Sequence, residues 1–186
     1  MDNYLKLITQ GKKAFADAAL SIGWFEYSSL TYETVLERLT EMDDKIFSVF
    51  SLSEMEFDSE GFESAGAYQS VVAELLRLTE HMKDAEIACE FDDETESIKI
   101  SIQGERGRYI YFTDENDDWF DGKVIDSFLN ETVLPGEGLE LRFFVLPPCD
   151  QMAYVVFVPR PMYEEAVSRG LIPAEEGYFL EDTDSE

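Results

Sequence analysis

The spacing of apolar side chains changes near residue 84 of this chain, and the change limits the folds that are open to it. Up to about residue 82 the apolar residues recur every three or four positions, which is the period of an amphipathic helix. From about residue 85 most apolar residues alternate with polar ones, which is the period of a half-buried strand. The sequence therefore predicts an α+β protein with a helical N-terminal third and an antiparallel sheet of about five strands covered by helices.

Three helical segments are predicted in the first part of the chain. Residues 4–20 form one or two helical pieces, since Gly11 weakens a continuous helix. Residues 32–50 form the clearest helix, with Thr31 as its N-cap, and residues 65–82 form the next one.

Strands dominate the second part of the chain. They are predicted at residues 85–91, 98–103, 108–113, 139–146 and 152–158. A helix over 122–133 ends before Pro135, and a last short helix starts near Pro161 and stops at Gly170. Short connections make the first three strands an antiparallel meander. We expect one α+β domain over 1–180 and a frayed acidic tail over 181–186.

The second constraint is charge. Among 186 residues, 41 Asp and Glu stand against 14 Lys and Arg, which gives a formal net charge of −27. Such an excess disfavours direct binding to nucleic acid or an anionic membrane and attracts cationic surfaces. Three interpretations stay open: a solvated acidic surface, a docking face for a basic protein, and a metal-loading or salt-adaptation role.

Cysteine usage and the start of the chain indicate a reducing compartment. Cys89 and Cys149 are 60 residues apart, which matches neither a disulfide framework nor a zinc spacing. We expect both thiols to be reduced and buried. The first residues lack the basic segment of a signal peptide, and no apolar run reaches membrane-spanning length, so a cytoplasmic location is expected.

Motifs for catalysis or metal binding are weak in this sequence. Residues 114–118 imitate the first ligands of a calcium loop, but Trp119 and Ile125 stand where its glycine and bidentate acid belong. His81 is the single histidine, and its surroundings match no zinc or nucleophile motif, so we expect it to sit at a helix C-terminus. We therefore expect no enzyme activity, no cofactor and no metal.

One side of the predicted helix over 32–50 carries a carboxylate ladder. The ladder consists of Glu33, Glu37, Glu41 and Asp44. Like charges at this spacing destabilise a helix by a few tenths of a kcal/mol per pair. A surface that needs only solubility interleaves lysines, whereas this helix has only Arg38 and Lys45. The ladder is therefore a candidate docking face, although a solvated face explains the same pattern.

Acidic and apolar residues alternate in the next segment, 51–64. The pattern fits a short edge strand or a recognition loop, and we expect a loop. Its candidate partner-binding carboxylates are Glu54, Glu56, Asp58 and Glu60, with Met55 and Phe57 as apolar anchors at the centre. Secondary contacts are expected at Asp92, Asp93, Glu94, Glu96, Asp114, Glu115, Asp117 and Asp118.

Local clustering of the acidic residues favours a docking face over an evenly solvated surface. In size, charge and motif-free layout the chain resembles bacterial immunity proteins and phage DNA-mimic inhibitors, a likeness of profile that no shared motif carries. It implies an acidic inhibitor that neutralises a basic toxin nuclease or defence enzyme. The alternative is a non-catalytic structural or adaptor subunit that assembles through an apolar segment around Phe15 and Trp24, with acidity serving only solubility.

Overall fold

A computed structural model describes residues 3–42, 45–113, 118–147 and 151–173. It divides the chain into two compact units. Unit 1 combines residues 1–56 with those from 144 onwards, and unit 2 comprises residues 57–143. The single domain over 1–180 stays a prediction, and the tail over 181–186 lies outside the described residues.

Helices and strands occur largely in separate runs along the chain, as expected of an α+β protein. The α-helices are α1 (Asn3–Ile8), α2 (Lys12–Ser21), α3 (Tyr32–Glu41), α4 (Ala65–Leu78), α5 (Leu134–Gly136) and α6 (Arg160–Arg169). Residues Trp24–Glu26 and Lys45–Leu52 form 3-10 helices, and Val124–Val133 form a π-helix. The strands are β1 (Met55–Asp58), β2 (Glu86–Asp92), β3 (Ser97–Gln103), β4 (Arg108–Phe112), β5 (Leu141–Val145) and β6 (Met152–Pro159). The α+β class and the helical N-terminal region are confirmed.

Side-chain caps explain where two of the longer helices begin. The hydroxyl of Thr31 accepts a hydrogen bond from the N–H of Thr34 at 3.2 Å, which confirms Thr31 as the N-cap of α3. The hydroxyl of Ser64 does the same for the N–H of Ala67 at the start of α4. Each cap satisfies a backbone donor that the first helical turn leaves without a partner.

The prediction of one continuous helix over 32–50 is wrong. α3 ends at Glu41, and a separate 3-10 helix follows it. The Nζ atom of Lys12 donates hydrogen bonds to the carbonyl oxygens of Thr40 at 3.3 Å and Met42 at 2.5 Å. A cation from α2 thus binds the free carbonyls at the end of α3, a tertiary contact that apolar spacing cannot reveal.

In the described part of the chain, six strands in two sheets replace the predicted single sheet of about five. One sheet has the order β1-β6-β5, so its central strand follows β1 by about a hundred residues. The loop predicted over 51–64 is wrong where β1 forms, and the backbone N–H of Glu54 donates to the carbonyl of Val155 at 2.9 Å. The local pattern allowed a strand there, but the partner strand lies too far along the chain to be inferred.

The second sheet lies in unit 2 and confirms the predicted meander. Its order is β2-β3-β4, and Ile100 of β3 pairs with Cys89 on one side and Tyr111 on the other. Alternate residues of β3 face inward, where α4 packs against β2 and β3 and the π-helix packs against β4. The inward side chains Ile98, Ile100 and Ile102 are at most 1% exposed.

Aromatic side chains fill the cores of both units. In unit 1, Tyr4, Phe15 and Trp24 are fully buried, so Phe15 and Trp24 present no apolar assembly surface. In unit 2, the rings of Phe62, Tyr68 and Phe120 pack within 5.5 Å of one another. None of the helices in the described ranges is long and apolar enough to cross a membrane. The cytoplasmic location stays a prediction.

The C-terminal end of α6 requires glycine. Gly170 has φ +79° and ψ 23°, a left-handed conformation, and a Cβ atom there would collide with the backbone carbonyl group of Asn3. Gly23 has nearly the same conformation, with φ 76° and ψ 23°, but its Cβ position has ordinary van der Waals spacing. Substituting alanine at Gly23 therefore tests backbone strain alone, whereas the same substitution at Gly170 adds a steric overlap.

We predict that Gly23→Ala lowers the free energy of unfolding by about 1–2 kcal/mol, since alanine is strained in the left-handed region. Gly170→Ala lowers it by at least about 2 kcal/mol more, because α1 must also move away from α6. Urea unfolding followed by circular dichroism measures both values. Equal losses for the two variants would contradict the close approach of Asn3 to Gly170.

Candidate partner-binding surface

The carboxylate ladder lies on the solvent side of α3. Glu33, Glu37 and Glu41 are exposed, and Asp44 lies outside the described residues. Successive carboxylates stand about 6 Å apart along the helix axis. Within the described part of the chain, none of the three forms an ion pair with a basic side chain. Their negative charge is therefore presented to solvent.

Strand β1 places its acidic and its apolar side chains on opposite faces. Glu56 and Asp58 are exposed, whereas Met55 and Phe57 point to the opposite face and are 9% and 8% exposed. Period two in a strand produces this separation. The two apolar residues thus lie behind the carboxylates, and Phe57 packs against the ring of Phe120.

Unit 2 brings Glu60 together with a residue of the secondary set. Asp118 accepts a hydrogen bond from the N–H of Gly61 at 3.1 Å, and Glu60 forms an isolated β-bridge with Trp119. Asp58 accepts from the N–H of Glu60 at 3.0 Å. These bonds hold the exposed residues Asp58, Glu60 and Asp118 in a defined arrangement. The other secondary residues of this loop, Asp114, Glu115 and Asp117, lie outside the described residues.

The turn between β2 and β3 holds the remaining secondary carboxylates. Asp92 accepts hydrogen bonds from the backbone N–H groups of Glu94 and Thr95 at 3.0 and 2.9 Å. Hydrogen bonding from Thr95 holds the pKa of Asp92 below its ordinary value. Asp93, Glu94 and Glu96 are exposed. Asp92 therefore shapes the turn, and its three neighbours supply the exposed charge.

Glu54 differs from the other predicted docking residues because its carboxylate binds backbone. One oxygen accepts from the N–H of Ser29 at 2.7 Å, and the other accepts from the N–H of Phe157 at 2.9 Å. The side chain thus joins the segment before α3 to strand β6 inside unit 1. Charge-assisted bonds of this kind are about twice as strong as neutral ones. Glu54 has a structural role that sequence reasoning did not separate from docking.

A cleft of about 570 Å³ opens in unit 1 beside the carboxylate ladder. We call it the unit 1 cleft, and its lining includes Arg38, Met42, Phe50, Met55, Glu56 and Tyr154. Its volume falls within the roughly 300–1,000 Å³ of typical ligand pockets. The sequence pattern did not reveal it, since its lining comes from three separate segments of the chain.

Unit 2 contains a buried carboxylate, that of Glu137, which the sequence pattern did not predict. Glu137 is 1% exposed, and its oxygens accept from the hydroxyl of Tyr109 at 2.8 Å and the N–H of Arg106 at 3.1 Å. Burial, followed by this hydrogen bond, raises the pKa of Tyr109. Gly104 lies so close that a Cβ atom there would overlap the Glu137 carboxylate. The contacts tie the β3–β4 turn to the end of α5.

His81 lies next to this buried carboxylate, just beyond α4. Its Nε2 atom is 3.8 Å from carboxylate oxygens of both Glu105 and Glu137. Among the described residues that line the adjoining cavity of about 290 Å³, none offers a hydroxyl, thiol or amine nucleophile. The described residues also contain no group of three or more His, Cys, Asp or Glu placed to hold a metal ion. The expected lack of catalysis stays a prediction.

The thiol of Cys89 lies on the inward face of β2. Burial raises its pKa from the ordinary value of 9.0 to about 11. Because the thiolate is the reactive form, the folded state suppresses the chemistry of this side chain. Cys149 lies outside the described residues.

Comparison of the chain with protein-family models, with curated proteins and with solved structures found no match.

We predict that Glu54→Ala lowers the free energy of unfolding by about 2 kcal/mol, because the N–H of Phe157 loses its charged acceptor. The control is Glu56→Ala, which removes an exposed carboxylate two residues away and changes stability by less than about 0.5 kcal/mol. Thermal or urea unfolding measures both. Similar values for the two variants would show that the Glu54 carboxylate does not hold unit 1 together.

A second prediction concerns Cys89, measured in a Cys149→Ser background. Near pH 8, alkylation by iodoacetamide is about 100-fold slower in the folded chain than in urea, since a pKa near 11 leaves about 0.1% thiolate. The rate rises with pH until the pH passes about 11, provided the chain stays folded. A folded-state rate that levels off near pH 9 would rule out the burial effect.

Proposed function

We propose that this chain is an acidic binding protein that neutralises a basic protein partner. The observation that carries the proposal is the row of exposed carboxylates on α3, which pair with no basic side chain in the described ranges. Leaving like charges at this spacing costs helix stability. A complementary cationic surface on a partner would recover that cost on binding.

The partner class that best fits such a surface is a nucleic-acid-binding enzyme, such as a toxin nuclease or a defence enzyme. Duplex DNA carries one charge per about 1.7 Å of its axis, and the enzymes that bind it have Lys- and Arg-rich grooves. Carboxylates about 6 Å apart on a rigid helix can bind the Lys and Arg side chains that would otherwise bind DNA phosphates. The inhibitor thus acts by covering the groove, in the manner of an immunity protein or a DNA mimic.

Net charge adds a kinetic advantage to this mechanism. A formal charge of −27 attracts a basic partner over long range and raises the association rate. Fast capture suits a protein that must neutralise a toxin before the toxin reaches nucleic acid. Salt screens this attraction, so the association rate of the complex depends on ionic strength.

An adaptor subunit is the second candidate function, and one observation favours it. Ile110 and Phe112 of β4 lie on the outer face of the second sheet and are 49% and 41% exposed. Exposed apolar residues on a sheet face are typical of assembly surfaces. An adaptor that binds through this face would form its complex with little dependence on salt.

We predict that the triple variant Glu33→Gln, Glu37→Gln, Glu41→Gln associates about tenfold more slowly with its partner at low salt. The partner is first captured from the native host on immobilised wild-type chain and identified by mass spectrometry. Association rates are then measured by surface plasmon resonance over a range of salt concentrations. The captured protein should be basic, and the wild-type chain should block its activity on nucleic acid.

The matched control is Glu74→Gln, Glu131→Gln, Glu164→Gln, which removes three exposed carboxylates elsewhere. Both triple variants have the same formal charge, −27 + 3 = −24. The control should keep most of the wild-type association rate. Equal rates for the two variants, or weak salt dependence of wild-type binding, would favour the adaptor.

A further inference from the structure

The unit 1 cleft combines an apolar floor with hydrogen-bonding groups that are already occupied. The rings of Phe50 and Tyr154 stack at 4.1 Å between centroids, and the side chains of Met42 and Met55 complete the apolar lining. Methionine adapts its shape to different apolar groups, which suits a binding surface. The floor therefore offers apolar contact to an occupant.

Polar groups on the walls are engaged inside the protein. Arg38 donates through Nη1 to the carbonyl oxygens of Ser53 at 2.6 Å and Ser51 at 3.4 Å. Both oxygens of Glu54 accept backbone hydrogen bonds. A Lys or Arg side chain inserted into the cleft would meet the charge of Arg38 without gaining a free carboxylate at its base. The cleft consequently suits an uncharged side chain.

The rim of the cleft is acidic. Glu56 lines the cleft and is exposed. At about 100° per residue, Glu41 is the described member of the carboxylate ladder that lies nearest to Arg38 and Met42 on the surface of α3. Residues flanking an occupant on either side would thus meet carboxylates. An apolar centre with a charged rim is the usual anatomy of a protein interface.

We propose that the unit 1 cleft receives an aromatic or long apolar anchor side chain of a basic protein, with the anchor's Lys or Arg neighbours on Glu41 and Glu56. This inference rests on the proposed function and places the cleft at the centre of the partner-binding surface. The cleft has room for an aromatic side chain together with part of the backbone that carries it. The anchor supplies affinity and the flanking cations supply orientation.

Three pentapeptides, acetylated and amidated, test the inference at low ionic strength. They are Lys-Lys-Trp-Lys-Lys, Lys-Lys-Ala-Lys-Lys and Ser-Ser-Trp-Ser-Ser. The chain carries ¹³C-labelled methionine methyl groups, assigned by single Met→Leu substitutions. The first peptide should shift the methyl signals of Met42 and Met55 and leave that of Met82, in unit 2, unchanged. The second and third should bind about tenfold more weakly or worse.

Two variants with the same added charge test whether the peptide binds in the unit 1 cleft. Met42→Glu adds a carboxylate to the cleft lining, and Thr40→Glu adds one to the exposed surface of α3, two residues earlier. Both increase the general attraction for the basic peptides. Met42→Glu should nevertheless remove the preference for tryptophan over alanine, while Thr40→Glu should keep it. Circular dichroism confirms that each variant is folded, and the wild-type peptide comparison stands without them.

Each failure has its own signature. Equal binding of the two basic peptides, with unmoved Met42 and Met55 signals, overturns the anchor site and leaves acidic-surface docking intact. Equal binding of the two tryptophan peptides shows an apolar pocket with no preference for a basic partner, which also overturns the proposal. If none of the three peptides binds, the proposal is overturned as well. The association rates of the triple variant are measured with a captured host protein and not with these peptides, so the proposed function can fail separately.

Discussion

Carboxylates outnumber cations in this chain by 41 to 14, so most of them have no basic side chain to pair with. Those that lie within the fold are bound by other donors. Backbone N–H groups bind Glu54 and Asp92, and tyrosine hydroxyls donate to Asp121 and Glu137 at 2.9 and 2.8 Å. Hydrogen bonds to the ionised form stabilise a carboxylate without a counter-charge. Folding thereby supplies the donors that the composition lacks.

The same shortage of cations shapes the surface of unit 1. Glu54 and Glu56 are two residues apart, yet the first binds backbone from two segments and the second faces solvent. Exposed carboxylates are left on α3 and β1, on elements that also line an apolar cleft. Affinity and orientation for a basic partner would then come from neighbouring parts of one surface. Net charge alone gives attraction without a defined docking geometry.

Local signals predicted the start of α3, the end of α6 and the meander, because caps, turns and periodicity act over a few residues. Thr31 and Gly170 mark helix ends by their own chemistry. The end of α3 depends on Lys12, from another helix, and β1 depends on β6, about a hundred residues later. The predicted carboxylates of α3 are exposed, as a charged helix face indicates. The unit 1 cleft and Glu137 depend on tertiary contacts, which one sequence does not disclose.

Unit 1 is discontinuous in sequence, and this affects the order in which the chain can fold during synthesis. Its core includes Tyr4 and Phe15 near one end and Leu171 and Ile172 near the other. Unit 2 is contiguous, so its contacts can form while the ribosome is still adding the residues from 144 onwards, which complete unit 1. Until those residues are added, the N-terminal helices can pack on one another but leave part of their apolar faces uncovered. A highly charged nascent chain repels its neighbours during this interval, so acidity also limits aggregation before folding is complete.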